Sequence, residues 1–118
     1  MWTTMFPTGR KRATALTPNQ RRIYENGTKL LIACDNGIAA VNEIKLAKGL
    51  GLKTVIIDHH EPGFVTDSDG NAAEILPDAD AIIDHKQKDC TYPYKNLCAA
   101  GISYKFAKAL YEYMGRAF

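Results

Sequence analysis

Two short apolar runs, one on each side of a helical pattern, decide what this chain can fold into. Residues 30–34 and 54–57 show no alternation of apolar and polar side chains, which is typical of strands covered on both faces of a parallel sheet. Between them, residues 38–50 place four apolar side chains at helical spacing among charged ones: Val41, Ile44, Ala47 and Leu50. A strand, a helix and a strand within about 30 residues predict a βαβ unit, and therefore an α/β fold.

Side chains that can bind a metal follow both runs. Asp35 comes directly after the first run, and Asp58, His59 and His60 come directly after the second. Because the carboxyl ends of parallel strands meet at one edge of a sheet, we expect these side chains to share one site. Carboxylate and imidazole together suit Mn²⁺, Fe²⁺ or Zn²⁺ better than Ca²⁺, and such a site suits phosphoester hydrolysis. If the strand geometry persists through these residues, its alternation predicts that His60 points away from His59.

Either motif alone has an ordinary structural explanation. Asp-Asn-Gly at residues 35–37 is most often a turn, and Asp-His-His at residues 58–60 is more often a polar loop whose histidines bind the backbone. The βαβ unit that fills the distance between them is what favours a shared site.

The rest of the sequence predicts further elements. A helix begins at Thr17 with a capping pattern and ends at Gly27, and residues 79–84 form a third strand. Residues 61–79 are predicted to be a loop, with a surface turn at Asp67 that lacks the ligands of a calcium loop. Residues 85–98 are predicted to be ordered but irregular. A last helix is predicted from Ala100 to Met114 and places apolar side chains on one face: Ile102, Phe106, Ala109, Leu110 and Tyr113.

The composition limits the class of protein. The 118 residues, of which 46% are hydrophobic and 24% charged, suffice for one small domain. Three cysteines cannot all pair within the chain, and we expect Cys34, Cys90 and Cys98 to be reduced thiols. The sequence has no apolar stretch of the roughly 20 residues that cross a bilayer, and its amino end lacks the order of a signal peptide. We therefore expect a cytoplasmic location and no membrane partner.

Positive charge is concentrated at the amino end. Residues 1–29 contain six Lys or Arg against one acidic residue, whereas residues 30–118 contain nine against twelve. Residues 1–16 are predicted to be an irregular or disordered basic arm. Such an arm is compatible with an approach to nucleic acid, and equally with a solvated chain end.

The motifs resemble those of the DHH phosphoesterase superfamily and, within it, of its RecJ-type exonucleases. The resemblance begins with residues 30–38 and 58–62, and it continues through residues 86–98 to Ala100 and Gly101. It covers roughly residues 14–118. It implies a three-layer core around a parallel βαβ sheet, with a partial DHH domain over residues 17–118.

The resemblance also implies a role for each site residue. Asp35 matches a metal ligand that bridges two ions, and His59 matches a histidine metal ligand. His60 matches a second, catalytic histidine near the scissile phosphate, and Asp58 would orient the pair. The implied activity is the Mn²⁺- or Mg²⁺-dependent hydrolysis of single-stranded DNA from the 5′ end, in DNA repair and recombination.

The chain also departs from this pattern. The Asp-x-Asp-x-Asp-Gly motif expected before Asp35 and a later aspartate are not found, so we expect a fragment with little or no activity of its own. Asp84 and His85 stand where relatives often carry Asn-Pro. Asp84 is therefore not equated with the later ligand, and His85 is predicted to be an exposed loop residue. An incomplete sheet would leave an edge that invites self-association.

Other functions stay open at this point. Other members of the superfamily cleave short RNA, cyclic dinucleotides or pyrophosphate, and they share Asp35 and the Asp-His-His motif. A relic that binds nucleic acid or a nucleotide without catalysis is a different class. A generic nucleotide-binding domain is the weakest alternative, because no Gly-x-Gly-x-x-Gly motif opens a helix.

Overall fold

A computed structural model describes Arg22 and residues 24–118 of the chain. The predicted basic arm and the predicted helix start at Thr17 lie outside the described residues. The chain turns at Gly27, which has a φ of +83° and ends the helical residues before it, as predicted. The elements that follow are β1 (Leu30–Cys34), α1 (Val41–Gly49), β2 (Lys53–Asp58), β3 (Gly63–Thr66), β4 (Ala72–Ile75), β5 (Ala81–Asp84) and α2 (Ala99–Tyr113).

The central sheet is parallel and has the strand order β1-β2-β5. Cys34 lies opposite Ile57, and Asp58 lies opposite Asp84, so all three strands end at the same edge. We call the loops that follow Cys34, Asp58 and Asp84 the carboxyl edge of the sheet, and the loops before the three strands its amino edge. The predicted βαβ unit and the predicted third strand are both confirmed.

The two helices cover opposite faces of this sheet. Ala33 of β1 and Ile56 of β2 pack with Ile44 of α1, and Ile44 and Ile56 are fully buried. Burying one such side chain contributes about 1.5–3 kcal/mol. On the other face, the Sγ atom of Cys34 lies 3.8 Å from Oγ of Ser103 in α2. Because Ala33 and Cys34 are neighbours in a strand, they point to opposite faces. The predicted three-layer α/β core is therefore confirmed.

The ends of both helices follow from the sequence. The Gly51 N–H donates to the carbonyl of Lys48 over 2.8 Å, and Gly51 has a φ of +85°, which glycine adopts without steric cost. Gly115 ends α2 in the same way, with a φ of +65°. In the described part of the chain, neither helix has the length and apolar character that crossing a bilayer requires.

Residues 61–79 are not a plain loop, and that prediction was wrong. They contain β3 and β4, which pair antiparallel in a two-stranded sheet of their own. The turn between them is the predicted one, because the Asp67 carboxylate accepts the N–H groups of Asp69 and Asn71, each over 2.9 Å. Every residue of the hairpin except Glu74 is exposed, so its strands show neither a buried face nor an apolar period.

Strands β1 and β5 are the outer strands of the described part of the central sheet. Each has one side on which no described strand pairs with it. The self-association expected from such an edge stays a prediction.

Asp80 joins the strands at the amino edge. Its carboxylate accepts the Thr54 N–H over 2.8 Å, the Thr54 hydroxyl over 3.1 Å and the Lys53 ammonium over 3.0 Å. The hydrogen bond from the Thr54 N–H, followed by that from Lys53, lowers the pKa of Asp80 from 3.8 to about 2. The charged carboxylate therefore fixes the start of β5 against the start of β2.

This lowered pKa predicts a specific dependence of stability on pH. Because the folded pKa lies below the unfolded one, the contribution of Asp80 is complete above the unfolded value of 3.8 and is lost as the pH falls towards 2. We expect Asp80→Asn to lower the free energy of unfolding at pH 7 and to flatten its decline between these two values. Urea denaturation across this range measures both effects.

The neighbouring Asp78 provides a matched control. It pairs with Lys48 over 2.8 Å, but its side chain is 79% exposed. We therefore expect Asp78→Asn to leave the acid profile nearly unchanged. An Asp80→Asn protein whose profile also matches the wild type would contradict the role assigned to Asp80.

Candidate metal centre

Asp35 begins the site at the tip of β1. Its N–H still donates to the carbonyl of Ile57 over 2.9 Å, so the backbone remains attached to β2. Its φ is +68°, the left-handed region that costs an L-residue about 1–2 kcal/mol and that aspartate tolerates better than most. Such strain is typical of functional positions, where the surrounding structure holds the residue in place.

Gly37 brings the loop after β1 close to β2. A Cβ atom added at this position would lie 2.7 Å from Cγ2 of Ile56 and 3.1 Å from Cβ of Ala33. Only glycine therefore allows the backbone to pack on the fully buried Ile56. This close approach places the N–H of Ile38 2.9 Å from Oδ2 of Asp58, across the sheet edge.

Asp58 is a buried hydrogen-bond acceptor beneath the two histidines. It is fully buried, and its Oδ1 accepts the N–H of His59 over 2.8 Å and the Nδ1–H of His60 over 2.6 Å. Burial raises the pKa of Asp58, but the hydrogen bonds from Ile38, His60 and His59 outweigh it, and the pKa lies below its ordinary value. The ionised carboxylate fixes the loop after β1 and the orientation of His60.

The two histidines lie side by side, because the strand geometry that would have turned His60 away from His59 does not persist past Asp58. Their ring centroids are 4.4 Å apart. Strand β2 ends at Asp58, so the alternation of a strand does not extend to the residues that follow. The hydrogen bond from the Nδ1–H of His60 to Asp58 then turns its ring towards His59.

Asp35, His59 and His60 form a cluster that fits a divalent transition-metal ion. Each offers one ligand atom, and these atoms all lie within 4.8 Å of one another. Nε2 of His59 lies 3.1 Å from Oδ1 of Asp35. That is close to the separation of about 3 Å between two adjacent ligands on one octahedral ion with bonds of about 2.1 Å. The mixture of carboxylate and imidazole suits Mn²⁺, Fe²⁺ or Zn²⁺.

A cavity of about 250 Å³ opens beside the cluster. Its lining includes Asn36, Ile38, Asp58, His60 and Glu61. The loop after β1 and the loop after β2 thus form opposite walls of one depression at the carboxyl edge.

Asp84 lies opposite Asp58 in the sheet but is not part of the cluster. Its Oδ1 accepts the N–H of Lys86 over 2.9 Å, and its buried Oδ2 has no hydrogen-bond partner in the described structure. Burial raises the pKa of Asp84, and the nearby charge of Asp58 adds to that effect. The pKa values of the two carboxylates are therefore shifted in opposite directions, and Asp58 favours the charged form.

His85 is buried, so the prediction of an exposed loop residue was wrong. It is 5% exposed, and its Nε2–H donates to the carbonyl of Lys95 over 2.7 Å. The Lys95 ammonium in turn donates to the carbonyls of His85 and Cys90, over 2.6 and 2.7 Å. His85 thus belongs to the interior of residues 85–98, which are ordered and irregular as predicted.

Sequence reasoning missed the residues that support the cluster. The N–H of Ile38 is invisible in a search for chemical side chains, although the glycine at position 37 is a signal that the backbone approaches something closely. The ion pair between Lys86 and Glu61, 3.0 Å long, also joins two loops of the carboxyl edge. Its signal in the sequence was a lysine two residues after the end of β5.

Comparison with known proteins now places the chain. The family model described as "DHH family, N-terminal domain" matches residues 3–117. The chain belongs to the DHH family. Phosphoesterases of this family depend on metal ions, in agreement with the carboxylate and imidazole donors at the carboxyl edge.

Known DHH relatives of this chain include single-stranded-DNA-specific exonucleases named RecJ. The protein from Bacillus subtilis (strain 168) is 48% identical over 96 residues, which is 79% of this chain and 11% of that protein. The one from Salmonella typhimurium is 34% identical over 88 residues, 75% of this chain and 14% of the relative. The one from Escherichia coli (strain K12) is 31% identical over 91 residues, which is 77% of this chain and 14% of that relative. The chain thus spans 11–14% of the length of these relatives.

Gly37 provides a test of how this DHH site is held together. We expect Gly37→Ala to lower the free energy of unfolding by about 1–3 kcal/mol, because the added methyl group must displace the buried Ile56. Amide hydrogen exchange at Ile38 should become faster, since its hydrogen bond to Asp58 is weakened. Gly49→Ala is the matched control, because a Cβ there meets no atom within 4 Å. Equal stability of the two variants would contradict the close approach.

Proposed function

We propose that this chain supplies metal-binding and phosphate-proximal residues of a phosphodiesterase that hydrolyses single-stranded DNA. The observation that carries the proposal is the cluster of Asp35, His59 and His60 at the carboxyl edge of a parallel sheet. Membership of the DHH family supports the reaction class. The names of the RecJ relatives support single-stranded DNA as the substrate, ahead of short RNA or cyclic dinucleotides.

In this proposal, Asp35 and His59 hold the metal ion. A divalent ion there supplies Lewis acidity, which activates water and stabilises the negative charge that develops on the phosphoryl oxygens. We propose Mn²⁺ or Mg²⁺, with Mn²⁺ favoured by the imidazole nitrogen of His59. Asp35 carries the negative charge that attracts the ion, and its side chain is 56% exposed and open to it.

His60 has two candidate roles. Because its Nδ1–H donates to Asp58, its Nε2 atom is the ring nitrogen left for another partner. That nitrogen can contact the phosphate and, when protonated, give a proton to the leaving oxygen. The closeness of His60 to Asp35 and His59 equally favours a role as a third metal ligand.

We expect the chain on its own to have little or no nuclease activity. In-line attack at phosphorus commonly uses two metal ions about 3.5–4 Å apart, held by several carboxylates. Within the described residues, the cluster offers three donor atoms, enough to hold one ion. Cleavage from the 5′ end, in repair and recombination, is proposed for the whole protein.

Calorimetry with Mn²⁺ tests the metal site directly. We expect the wild-type chain to bind Mn²⁺, and Asp35→Ala and His59→Ala each to weaken binding at least about tenfold, because each removes a ligand atom. Asp69→Ala is the control, since Asp69 lies in the exposed turn of the β3–β4 hairpin. Equal heats for the wild type and Asp35→Ala would contradict the site. A His60→Ala protein that loses as much Mn²⁺ affinity as Asp35→Ala would identify His60 as a metal ligand. Unchanged affinity would favour the role of His60 at the phosphate.

A chimaera tests the substrate. The matching residues of the Bacillus subtilis relative are replaced by those of this chain, which share 48% identity over 96 residues. We expect Mn²⁺-dependent hydrolysis of 5′-labelled single-stranded DNA, lost at least about a hundredfold with Asp35→Ala and retained with Asp69→Ala. A chimaera that cleaves dinucleotides but not long single strands would favour another DHH phosphoesterase. A folded, metal-loaded chimaera without activity would favour a non-catalytic relic.

A further inference from the structure

Lys86 places a positive charge at the carboxyl edge. It follows β5 by two residues, and its Nζ atom lies 3.0 Å from Oε1 of Glu61. Glu61 directly follows His60 and lines the same cavity as His60 and Asp58. The ammonium group of Lys86 is therefore paired with a residue that lines the depression beside the metal cluster.

The backbone beneath Lys86 is fixed. Its N–H donates to Oδ1 of the buried Asp84 over 2.9 Å, and the Gln87 side chain donates to the Asp84 carbonyl over 2.9 Å. Its side chain is 27% exposed, whereas that of Glu61 is 68% exposed. A lysine held in this way loses little further freedom when it binds a ligand.

The other ion pairs of lysines in the described residues lie elsewhere. Lys48 and Lys53 pair with Asp78 and Asp80 at the amino edge. Lys108 pairs with Glu112 within α2. Among the four described lysines with acidic partners, Lys86 is thus the one beside the proposed site.

We infer that Lys86 is a phosphate-contacting residue of this site, and that Glu61 holds its ammonium group until a nucleic-acid phosphate replaces the carboxylate. The inference rests on the proposed function, and it names a contact which that function does not require. An ion pair this exposed contributes little to stability, so exchanging the carboxylate for a phosphate costs little. Lysine binds phosphate as a point charge and needs no special geometry.

The rival explanation is an ion pair that merely joins the loops after β2 and β5. The two explanations differ in the sign of one effect. If the pair is only structural, removing either partner loosens the site and weakens binding. If Lys86 binds phosphate, removing Glu61 frees it and strengthens binding, whereas removing Lys86 weakens it.

Fluorescence anisotropy of a short 5′-labelled oligothymidylate with the full chain in Mg²⁺, at several KCl concentrations, separates them. We expect Lys86→Met to weaken binding about three- to tenfold and to reduce the slope of log K against log salt by about 0.7, the value for one lost single-strand phosphate contact. Glu61→Gln should tighten binding about two- to fivefold. Lys53→Met is the matched control, since Lys53 has the same 3.0 Å ion pair at the opposite edge, and it should leave the slope unchanged.

Each outcome decides the inference. A Lys86→Met slope equal to that of the wild type, or a Glu61→Gln protein that binds as weakly as Lys86→Met, overturns it. If either result is found but the wild type binds the oligonucleotide, and Asp35→Ala binds it more weakly, then the inference about Lys86 is wrong and the proposed function still holds. A wild-type chain that binds Mn²⁺ but no oligonucleotide overturns both proposals about DNA.

Discussion

The buried carboxylate of Asp58 holds the carboxyl edge together. It accepts the N–H of Ile38 from the loop after β1, and it accepts both the N–H of His59 and the ring N–H of His60 from its own loop. A buried donor that loses its acceptor costs about 1–3 kcal/mol, so these loops keep their positions as long as the carboxylate stays ionised. The loops that carry the proposed metal ligands thus depend on a residue that is not itself in the cluster.

The two edges of the sheet use similar residues for different purposes. At the amino edge, the Asp80 carboxylate accepts hydrogen bonds from Thr54 and Lys53 and fixes the starts of two strands. At the carboxyl edge, Asp35 and His59 lie in the loops that follow β1 and β2, with a cavity beside them. The difference follows from the topology, because parallel strands joined by crossovers leave the loops at their carboxyl ends free to carry ligand-binding side chains.

The sequence predicted those parts of the fold whose signal is local and buried. The strands at residues 30–34 and 53–58 were recognisable because both their faces are covered. The β3–β4 hairpin was missed because four-residue strands with no buried face carry no apolar period. The closeness of His60 to its neighbour depends on where β2 ends, and the burial of His85 depends on a carbonyl ten residues further along the chain. Neither feature can be predicted from the residues that are adjacent in sequence.

The hairpin has a consequence for how such chains vary. It lies in sequence between the loop of His60 and strand β5, yet among the described strands β3 and β4 pair only with each other. Residues can be added at its Asp67 turn, or removed there, without shifting the register that sets Asp58 opposite Asp84. The number of residues between the Asp-His-His motif and the next core strand is therefore a poor criterion for relatedness. A label attached at that turn would move with the domain and would not perturb the site.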